Sequence, residues 1–312
     1  MNIKAGIIAF IFSSAIFLIF TLYMTQTLRS TALASVVESI SHDREGNLIA
    51  LPKVINRIIS MGPSNTEILV ALGCGDKVVA IDEYSANVAG IKPGVPKFSM
   101  IAPNGERIIN LEPDVVFVTG MSKLGGDDPF RIVADTGICV IYIPSSSSIE
   151  GIKEDILYIS EVMEARSKGE EIIANMEKDI GTIRDIGQTI TDVKKVYFEI
   201  SAAPWMYSFG RGVFLNEIIE LIGAVNILAD QESWILVADE AIFKALPDVI
   251  LTSVNNIDNP VEEIKSRPGW SEITAVRNND VYYIDSDASS RPSHNIIKAL
   301  REMAKAIYPD KY

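Results

Sequence analysis

The chain has 312 residues, of which 48% are hydrophobic and 22% are charged, so its length favours two domains or two lobes and its composition excludes a largely disordered protein. The formal net charge at pH 7 is -13, and the basic side chains form no cluster along the sequence. Such a surface repels phosphate backbones, which excludes a nucleic-acid partner.

The N-terminal stretch MNIKAGIIAFIFSSAIFLIFTLYM has a short basic start and carries no charge from Ala5 to Met24. This pattern predicts a signal peptide or membrane anchor within residues 1–34, and hence an extracytoplasmic location, in the periplasm or at the outer face of the cell membrane. The length suits an uncleaved anchor, whereas the small residues ending at Ala34 suit signal peptidase, and both outcomes stay open. The first cysteine is Cys74, so a lipid anchor of the usual form is excluded.

Residues 35–53 lack a sustained period and are interpreted as a tether or an opening strand pair. From residue 54 onward, short buried strands such as RIISMG and KVVAI alternate with helical patterns such as TEILVALG, which stops at a glycine. ERIINLEPDVVFVTG and FRIVADTGICVIYI each add a helix and a strand. The alternation is typical of a parallel sheet flanked by helices, so residues 54–148 are predicted to form an N-terminal α/β lobe.

Residues 149–193 contain two amphipathic helical patterns without a strand between them, and the second is long enough to be a rigid connector. Residues 194–312 then repeat the alternation of strand and helix patterns and are predicted to form a C-terminal α/β lobe. NEIIELIG repeats TEILVALG, and EAIFKALPDVILTS repeats ERIINLEPDVVFVTG, in the same order. Two repeated phrases in register predict two lobes of similar build.

Catalytic motifs are absent from the sequence, which has no GxxxxGK[ST], strand-linked GxGxxG, GxSxG, HExxH or CxxC. Of the two histidines, His42 falls in the tether, so neither a metal site nor a cofactor is predicted. Asp127 and Asp128 are interpreted as part of a turn. Cys74 and Cys139 either form one disulfide or remain thiols.

Polar and aromatic residues follow the predicted strands of both halves, where open α/β sheets bind ligands. The segments are GPSNT, DEYS, TGMSK and PSSSS in the first half, and SAAPWMYSFGRG, SW, TSVNN and DSDASSRPSHN in the second. Two facing sets of this kind predict a ligand cleft between the lobes.

Several of these segments, taken together, resemble those of a known family. RIISMGPSNTEILVALGCGDKVVAIDEYS, the repeated Glu…Leu-x-Pro-Asp phrase, the long connecting helix and RPGWSEITAVRNNDVYYID together resemble the substrate-binding proteins of ABC importers for iron-siderophores, haem and vitamin B12, over about residues 54 to 308. The resemblance implies two α/β lobes with mainly parallel sheets flanked by helices. One long rigid helix would join the lobes, and the ligand would bind in the cleft between them with modest closure.

The function that the resemblance implies is capture of an iron-siderophore-type metal chelate and its delivery to an ABC permease dimer by a monomeric receptor. Vitamin B12 or haem is the alternative ligand within the same family. A two-lobed α/β enzyme is a weaker alternative, because the chain offers neither a basic diphosphate-binding loop nor cysteine ligands for a cluster.

Two acids have an implied role in docking. In this family a surface Glu on each lobe enters an Arg pocket of the permease, and the matching positions are Glu106 and Glu240. Paired carboxylates on two lobes can each accept a bidentate Arg over a two-fold transporter. The alternative is that each Glu is a solvated acid at a helix start, favoured by the helix dipole.

Three aromatic residues are candidates to contact the ligand. Tyr84 and Trp234 fall where the vitamin B12 receptor of this family places aromatic contacts, and Trp205 lies in a loop where that receptor also uses aromatic residues. Flat aromatic walls suit a large planar or apolar chelate, although each residue could instead be a half-buried packing residue. Trp270 is assigned to the core, because it has helical apolar spacing with Ile273.

Three cations, Lys123, Arg211 and Arg291, are candidates to meet carboxylate or hydroxamate oxygens of an iron chelate, or are ordinary exposed cations. His294 precedes the last predicted helix. It could be an axial ligand to haem iron or corrinoid cobalt, or it could cap the helix start.

Overall fold

Two main β-sheets organise the computed structural model, which describes residues 40–123 and 128–312. The predicted membrane segment, the cleavage site near Ala34 and the turn residue Asp127 lie outside the described residues. Among the residues that are described, no helix is both long enough and apolar enough to cross a bilayer. Each main sheet belongs to one α/β lobe.

The N-terminal lobe has five parallel strands in the order β3-β2-β1-β4-β5. The strands are β1 (Ile58–Met61), β2 (Val78–Asp82), β3 (Lys97–Phe98), β4 (Val115–Thr119) and β5 (Cys139–Ile143). The helices are α1 (Pro63–Ala71), α2 (Gly105–Ile109) and α3 (Arg131–Ala134). All residues of β4 and β5 are buried, as in a parallel sheet covered on both faces. Pro63 in the first turn of α1 and Gly73 at φ +82° after it set the bounds of that helix.

The helical segment between the two sheets contains two helices, α4 (Ile149–Val162) and the long connecting helix α5 (Arg166–Gly187). The Ser148 hydroxyl starts α4 by accepting a hydrogen bond from Gly151 N. α5 has 22 residues and spans about 33 Å at the usual helical rise. Its buried residues recur at intervals of seven and four, which is one narrow stripe on an otherwise charged helix: Gly169, Met176, Ile183 and Gly187.

The C-terminal lobe has a four-stranded parallel sheet in the order β11-β10-β6-β8 and an antiparallel pair, β7 with β9. The strands are β6 (Lys195–Glu199), β7 (Tyr207–Phe209), β8 (Val225–Asn226), β9 (Trp234–Leu236), β10 (Val249–Thr252) and β11 (Val281–Tyr283). The helices are α6 (Phe214–Leu221), α7 (Asp239–Ala245), α8 (Pro260–Ser266), α9 (Thr274–Arg277), α10 (Ser286–Ser290) and α11 (Ile296–Ile307).

The two lobes share one topology. In the second sheet β8, β6, β10 and β11 stand in the order that β2, β1, β4 and β5 take in the first sheet. The repeated Glu…Pro-Asp phrase has the same place in both lobes, because it forms α2 and β4 in one and α7 and β10 in the other. The prediction of two lobes of similar build is therefore confirmed at the level of strand order.

The Pro-Asp part of the phrase has a structural role. Asp114 Oδ2 accepts hydrogen bonds from Asn56 N at 2.7 Å and Arg57 N at 2.8 Å, just before β1. Asp248 Oδ2 accepts one from Lys195 N at 2.8 Å, at the start of β6. In each lobe this aspartate satisfies backbone donors where the central strand begins.

The buried residues of the two lobes test the assignment of Trp270 and the state of the two cysteines. Trp270 is 1% exposed in the core of the C-terminal lobe, with its ring edge-on to Phe243, so the assignment to the core is confirmed. Cys74 and Cys139 are both buried free thiols, so the alternative of a disulfide is not realised. Burial raises the pKa of both thiols, that of Cys139 to about 11. Neither thiol is a reactive nucleophile in this environment.

The connecting helix meets the C-terminal lobe through a backbone-to-backbone contact. A Cβ atom added at Gly187, the last residue of α5, would lie 2.2 Å from Leu221 O at the end of α6. A Cβ added at Gly223 would lie 2.5 Å from Gly187 O, and Gly223 also has φ +86°. Glycine at these positions lets the two helix ends approach closely.

Candidate functional site

Large exposed aromatic side chains lie just after or at the start of several strands, and their role in ligand binding stays a prediction. The candidates Tyr84, Trp205 and Trp234 are 55%, 71% and 46% exposed. Tyr84 lies two residues after the end of β2, Trp205 lies in the loop between β6 and β7, and Trp234 opens β9. Large exposed rings at this position are typical of a ligand-binding surface.

The short pair β7 and β9 adds residues that sequence reasoning missed. Tyr207 stands opposite Leu236, and Phe209 stands opposite Trp234, so the four side chains share one face. Phe209 is fully buried and meets the Trp234 ring edge-on at 5.9 Å, while Tyr207 and Leu236 are 39% and 58% exposed. The alternation in YSF and WIL was a signal for this face, but three-residue strands are too short for a secure periodicity.

A buried chain of hydroxyl groups holds the turn that carries Tyr84. Thr66 Oγ1 lies 2.8 Å from Ser60 Oγ and 2.9 Å from Ser85 Oγ. The Ser85 hydroxyl donates to Asp82, whose other carboxylate oxygen accepts from Tyr84 N at 2.8 Å. Burial raises the pKa of the Asp82 carboxyl, against the hydrogen bond from Ser85. Tyr84 is thus presented by a fixed turn.

The three candidate cations are already paired within the protein. Lys123 forms an ion pair with Glu45 at 2.7 Å, and its Nζ lies 3.4 Å from the centre of the Tyr142 ring. Arg211 pairs with Glu232 at 3.2 Å and is 57% exposed. Arg291 is buried and pairs with Glu67 at 2.9 Å. An anionic ligand would have to compete with these carboxylates, and the ligand-binding roles of the three cations stay predictions.

Glu45 belongs to a segment, His42 to Leu48, that packs on the N-terminal lobe, although we predicted a tether over residues 35–53. His42 and Leu48 form an antiparallel bridge, the second alternative from the sequence. Asp43 is buried and its carboxylate accepts from Tyr142 N at 3.1 Å, while Arg44 N donates to Tyr142 O at 3.2 Å. Residues 42–48 are therefore part of the folded lobe.

His294 lies with Glu67 and Arg291 in the lining of a cavity of about 340 Å³ that also contains Asp285 and Lys298. None of the three candidate aromatic residues lines this cavity. The His294 Nδ1 atom is buried and meets no hydrogen-bond partner among the described residues. Burial lowers the pKa of His294, whereas the charge of Glu67 acts in the opposite direction. The role as an axial metal ligand stays a prediction.

The lowered pKa of His294 makes the free energy of unfolding depend on pH. Unfolding lets His294 take up a proton at pH values below about 6.5, where the folded protein resists protonation. We therefore expect the stabilisation by His294 to be complete above about pH 6.5 and to be lost as the pH falls through the folded pKa. The difference in unfolding free energy between the natural protein and His294→Gln, from urea titrations at several pH values, should rise with pH in that window by at most about 1.4 kcal/mol per pH unit. A difference that is independent of pH would contradict the pKa direction.

Glu106 and Glu240 are both exposed in the first turn of their helices, α2 and α7. These helices occupy equivalent places in the two lobes. Within the described part of the chain, neither carboxylate forms an ion pair or a side-chain hydrogen bond. Both acids are thus available to a partner at matched positions.

A buried ion pair joins Glu199 and Arg267 in the C-terminal lobe. Glu199, at the end of β6, is fully buried and accepts two hydrogen bonds from Arg267, at 2.7 and 2.8 Å. Burial raises the pKa of Glu199, and the guanidinium of Arg267 opposes this.

Residues 40–123 and 128–312 contain no group of three or more His, Cys, Asp or Glu side chains that could hold a metal ion.

Two lobes of one topology, a single long connecting helix and exposed rings at the strand ends define a two-lobed ligand-binding protein. The family model described as periplasmic binding protein matches residues 58–288. The chain belongs to the periplasmic binding protein family.

Individual relatives agree with this assignment. The Bacillus subtilis protein "Uncharacterized ABC transporter substrate-binding lipoprotein YvrC" is 34% identical over 272 residues, which cover 86% of this chain and 85% of the relative. A vitamin B12-binding protein of Vibrio cholerae serotype O1 is 28% identical over 273 residues, which cover 82% and 91%. A crystal structure of a possible iron-binding (periplasmic solute-binding) protein from Staphylococcus epidermidis has a TM-score of 0.73 at 28% identity, and the match covers 82% of this chain and 100% of that one.

These findings confirm the resemblance to the substrate-binding proteins of ABC importers and the predicted fold class. The first relative is named as a substrate-binding lipoprotein of an ABC transporter and the second as a vitamin B12-binding protein, and neither name is that of an enzyme.

Proposed function

We propose that this protein is the extracytoplasmic receptor of an ABC importer and that it binds a large metal chelate between its two lobes. The observation that carries the proposal is the set of exposed rings at the strand ends of both lobes, Tyr84 in one and Trp205, Tyr207 and Trp234 in the other. Flat apolar walls suit a ligand with a broad hydrophobic face. The match to vitamin B12-binding proteins and to a possible iron-binding protein supports the same class.

Within this class we propose a corrinoid ahead of the ferric siderophore that the resemblance to the family implies first. The candidate cations are paired with Glu45, Glu232 and Glu67, so little positive charge is left for an anionic chelate. A ferric siderophore is the second candidate, since Arg211 is 57% exposed and its pair with Glu232 lies at the surface, where ion pairs are weak.

The receptor reaches its compartment through the segment of residues 5–24, as an uncleaved anchor or a cleaved signal. A lipid on Cys74 does not fit, because this thiol is buried in the folded lobe. One chain supplies both lobes and hence both walls of the site, so a monomer suffices for binding.

Fluorescence titration tests the ligand class. Two of the three tryptophans, Trp205 and Trp234, are exposed, whereas Trp270 is buried. We expect cyanocobalamin, and less tightly a ferric hydroxamate siderophore, to quench the emission of the two exposed rings. Haemin is the third probe. If none of the three binds more tightly than about 1 μM, roughly -8 kcal/mol, the chelate proposal is wrong.

A single substitution locates the site. Trp234→Ala is expected to weaken binding of the chelate that the titration identifies by at least about tenfold, because an aromatic anchor is lost. Val193→Ala is the matched control, since Val193 is also an exposed apolar residue, 53% exposed, but precedes the amino end of β6. Equal affinities of the two variants would place the ligand elsewhere.

A further inference from the structure

The second repeated phrase, TEILVALG and NEIIELIG, places a glutamate at equivalent positions of the two lobes. Glu67 lies on α1, the helix after β1, and Glu217 lies on α6, the helix that follows β6 and β7. Glu67 is 7% exposed and Glu217 is half-buried. Burying a carboxylate is unfavourable unless it is hydrogen-bonded or paired with a cation. Each of these two glutamates therefore needs a partner.

The partners of Glu67 come from the other lobe. Arg291 Nη1 donates to Glu67 Oε1 at 2.9 Å, and Ser293 Oγ donates to Glu67 Oε2 at 2.5 Å. Arg291 and Ser293 lie in the segment that follows β11, the last strand of the C-terminal lobe. Both charged side chains are nearly inaccessible to water, at 8% and 7% exposure. A buried pair of this kind resists separation, because either charge would be left uncompensated.

The same guanidinium holds the loop that presents Tyr84. Arg291 Nη2 donates to Tyr84 O at 3.0 Å and to Asn87 Oδ1 at 2.9 Å. It also pairs with Asp287 at 2.7 Å, and Asn87 Nδ2 donates to the other oxygen of Asp287 at 2.5 Å. The loop after β2 is therefore bonded to the C-terminal lobe at several points.

Glu217 makes the reciprocal contact. Its Oε2 atom accepts a hydrogen bond from Ile149 N at 2.9 Å. Ile149 opens α4 and lies in the segment that follows β5, the last strand of the N-terminal lobe. In each direction, the segment after the last strand of one lobe bonds to the glutamate on the helix after the first strand of the other lobe.

We propose that Glu67 and Glu217 are paired interlobe clasps, and that the Glu67 clasp also fixes Tyr84 in the ligand site. The first part concerns the fold alone, and the second part rests on the proposed function. The Glu67 clasp is an ion pair with several supporting bonds, whereas the Glu217 clasp is one bond to a backbone amide, so the first contributes more rigidity. Lobes that are held before the ligand arrives lose less freedom on binding.

Spin-label distances test the clasps without any ligand. Labels on cysteines at Asp135 and Glu262, both highly exposed, report the distance between the lobes in a Cys74→Ala, Cys139→Ala background. We expect Glu67→Gln to broaden the distance distribution and the matched variant Glu217→Gln to broaden it less. An unchanged distribution in Glu67→Gln overturns the clasp, and equal broadening in both variants overturns the difference between them. If Glu67→Gln does not fold, Ser293→Ala provides the same test with a smaller expected change.

A double-mutant cycle tests the positioning of Tyr84. With the chelate identified by titration, Glu67→Gln is expected to lower affinity about tenfold in the natural background and to have little effect when Tyr84 is already alanine. A merely structural role would lower affinity equally in both backgrounds, and that result overturns the positioning role. If no chelate binds, the proposed function fails while the distance measurement still decides the clasps.

Discussion

Replacing Glu106 and Glu240 together by alanine is expected to abolish uptake through the importer and to leave ligand binding by the purified receptor unchanged. Both carboxylates are exposed in the first turn of equivalent helices. In the docking that the family resemblance implies, each would accept two hydrogen bonds from one arginine of the permease, and a charged hydrogen bond contributes about 1.5–3 kcal/mol. Losing both should weaken docking by more than about a hundredfold, with intermediate losses in the single variants.

The control for this prediction removes one exposed acid per lobe elsewhere. Asp135→Ala with Glu272→Ala changes the net charge by the same amount, and both residues are exposed outside α2 and α7. This variant should transport normally in cells or in proteoliposomes that contain the permease. Uptake that survives the Glu106 and Glu240 substitutions, or that falls equally in the control, is incompatible with docking through the two acids.

Gly187→Ala is expected to destabilise the protein strongly, by about 3 kcal/mol or more. The added methyl group would lie 2.2 Å from Leu221 O and 2.9 Å from the Ile222 carbonyl carbon, which are backbone atoms that cannot rotate away. Overpacking usually costs about 1–3 kcal/mol, and a backbone contact is at the upper end. Thermal unfolding should show a melting temperature about 10 °C lower.

Gly181→Ala in the same helix is the matched control. There the nearest atom to an added Cβ is the tip of Arg184 at 3.8 Å. Alanine is the better helix former, so this variant should be more stable than the natural protein by up to about 1 kcal/mol. A Gly187→Ala protein that melts within about 2 °C of the natural one would show that the helix ends separate easily.

Local patterns predicted the two lobes because period and turn residues determine strands and helices over a few positions. The phrase around Asp114 and Asp248 repeats because each lobe needs one aspartate to satisfy the start of its central strand. The order of the strands in each sheet then follows from the alternation of helices and strands along the chain. The fold was therefore accessible from a single sequence.

Ion pairs between residues far apart in the sequence could not be predicted from the sequence. Arg291 lies in a polar segment after a strand, where ligand-binding cations are expected. The carboxylate that neutralises it, Glu67, is 224 positions away in the sequence. Lys123 is likewise paired with Glu45, 78 positions earlier. Exposure and pairing depend on how the lobes pack, and no local pattern encodes them.

The contacts of Asp43 and Arg44 with Tyr142 have a consequence for solubility. β5 is one of the two edge strands of its sheet, and edge strands can pair with strands of a second molecule. Here the outward N–H and C=O of Tyr142 are already bonded to Asp43 and Arg44. We therefore expect the segment from His42 to Leu48 to hinder strand pairing between copies at the β5 edge, because these two backbone groups are already occupied.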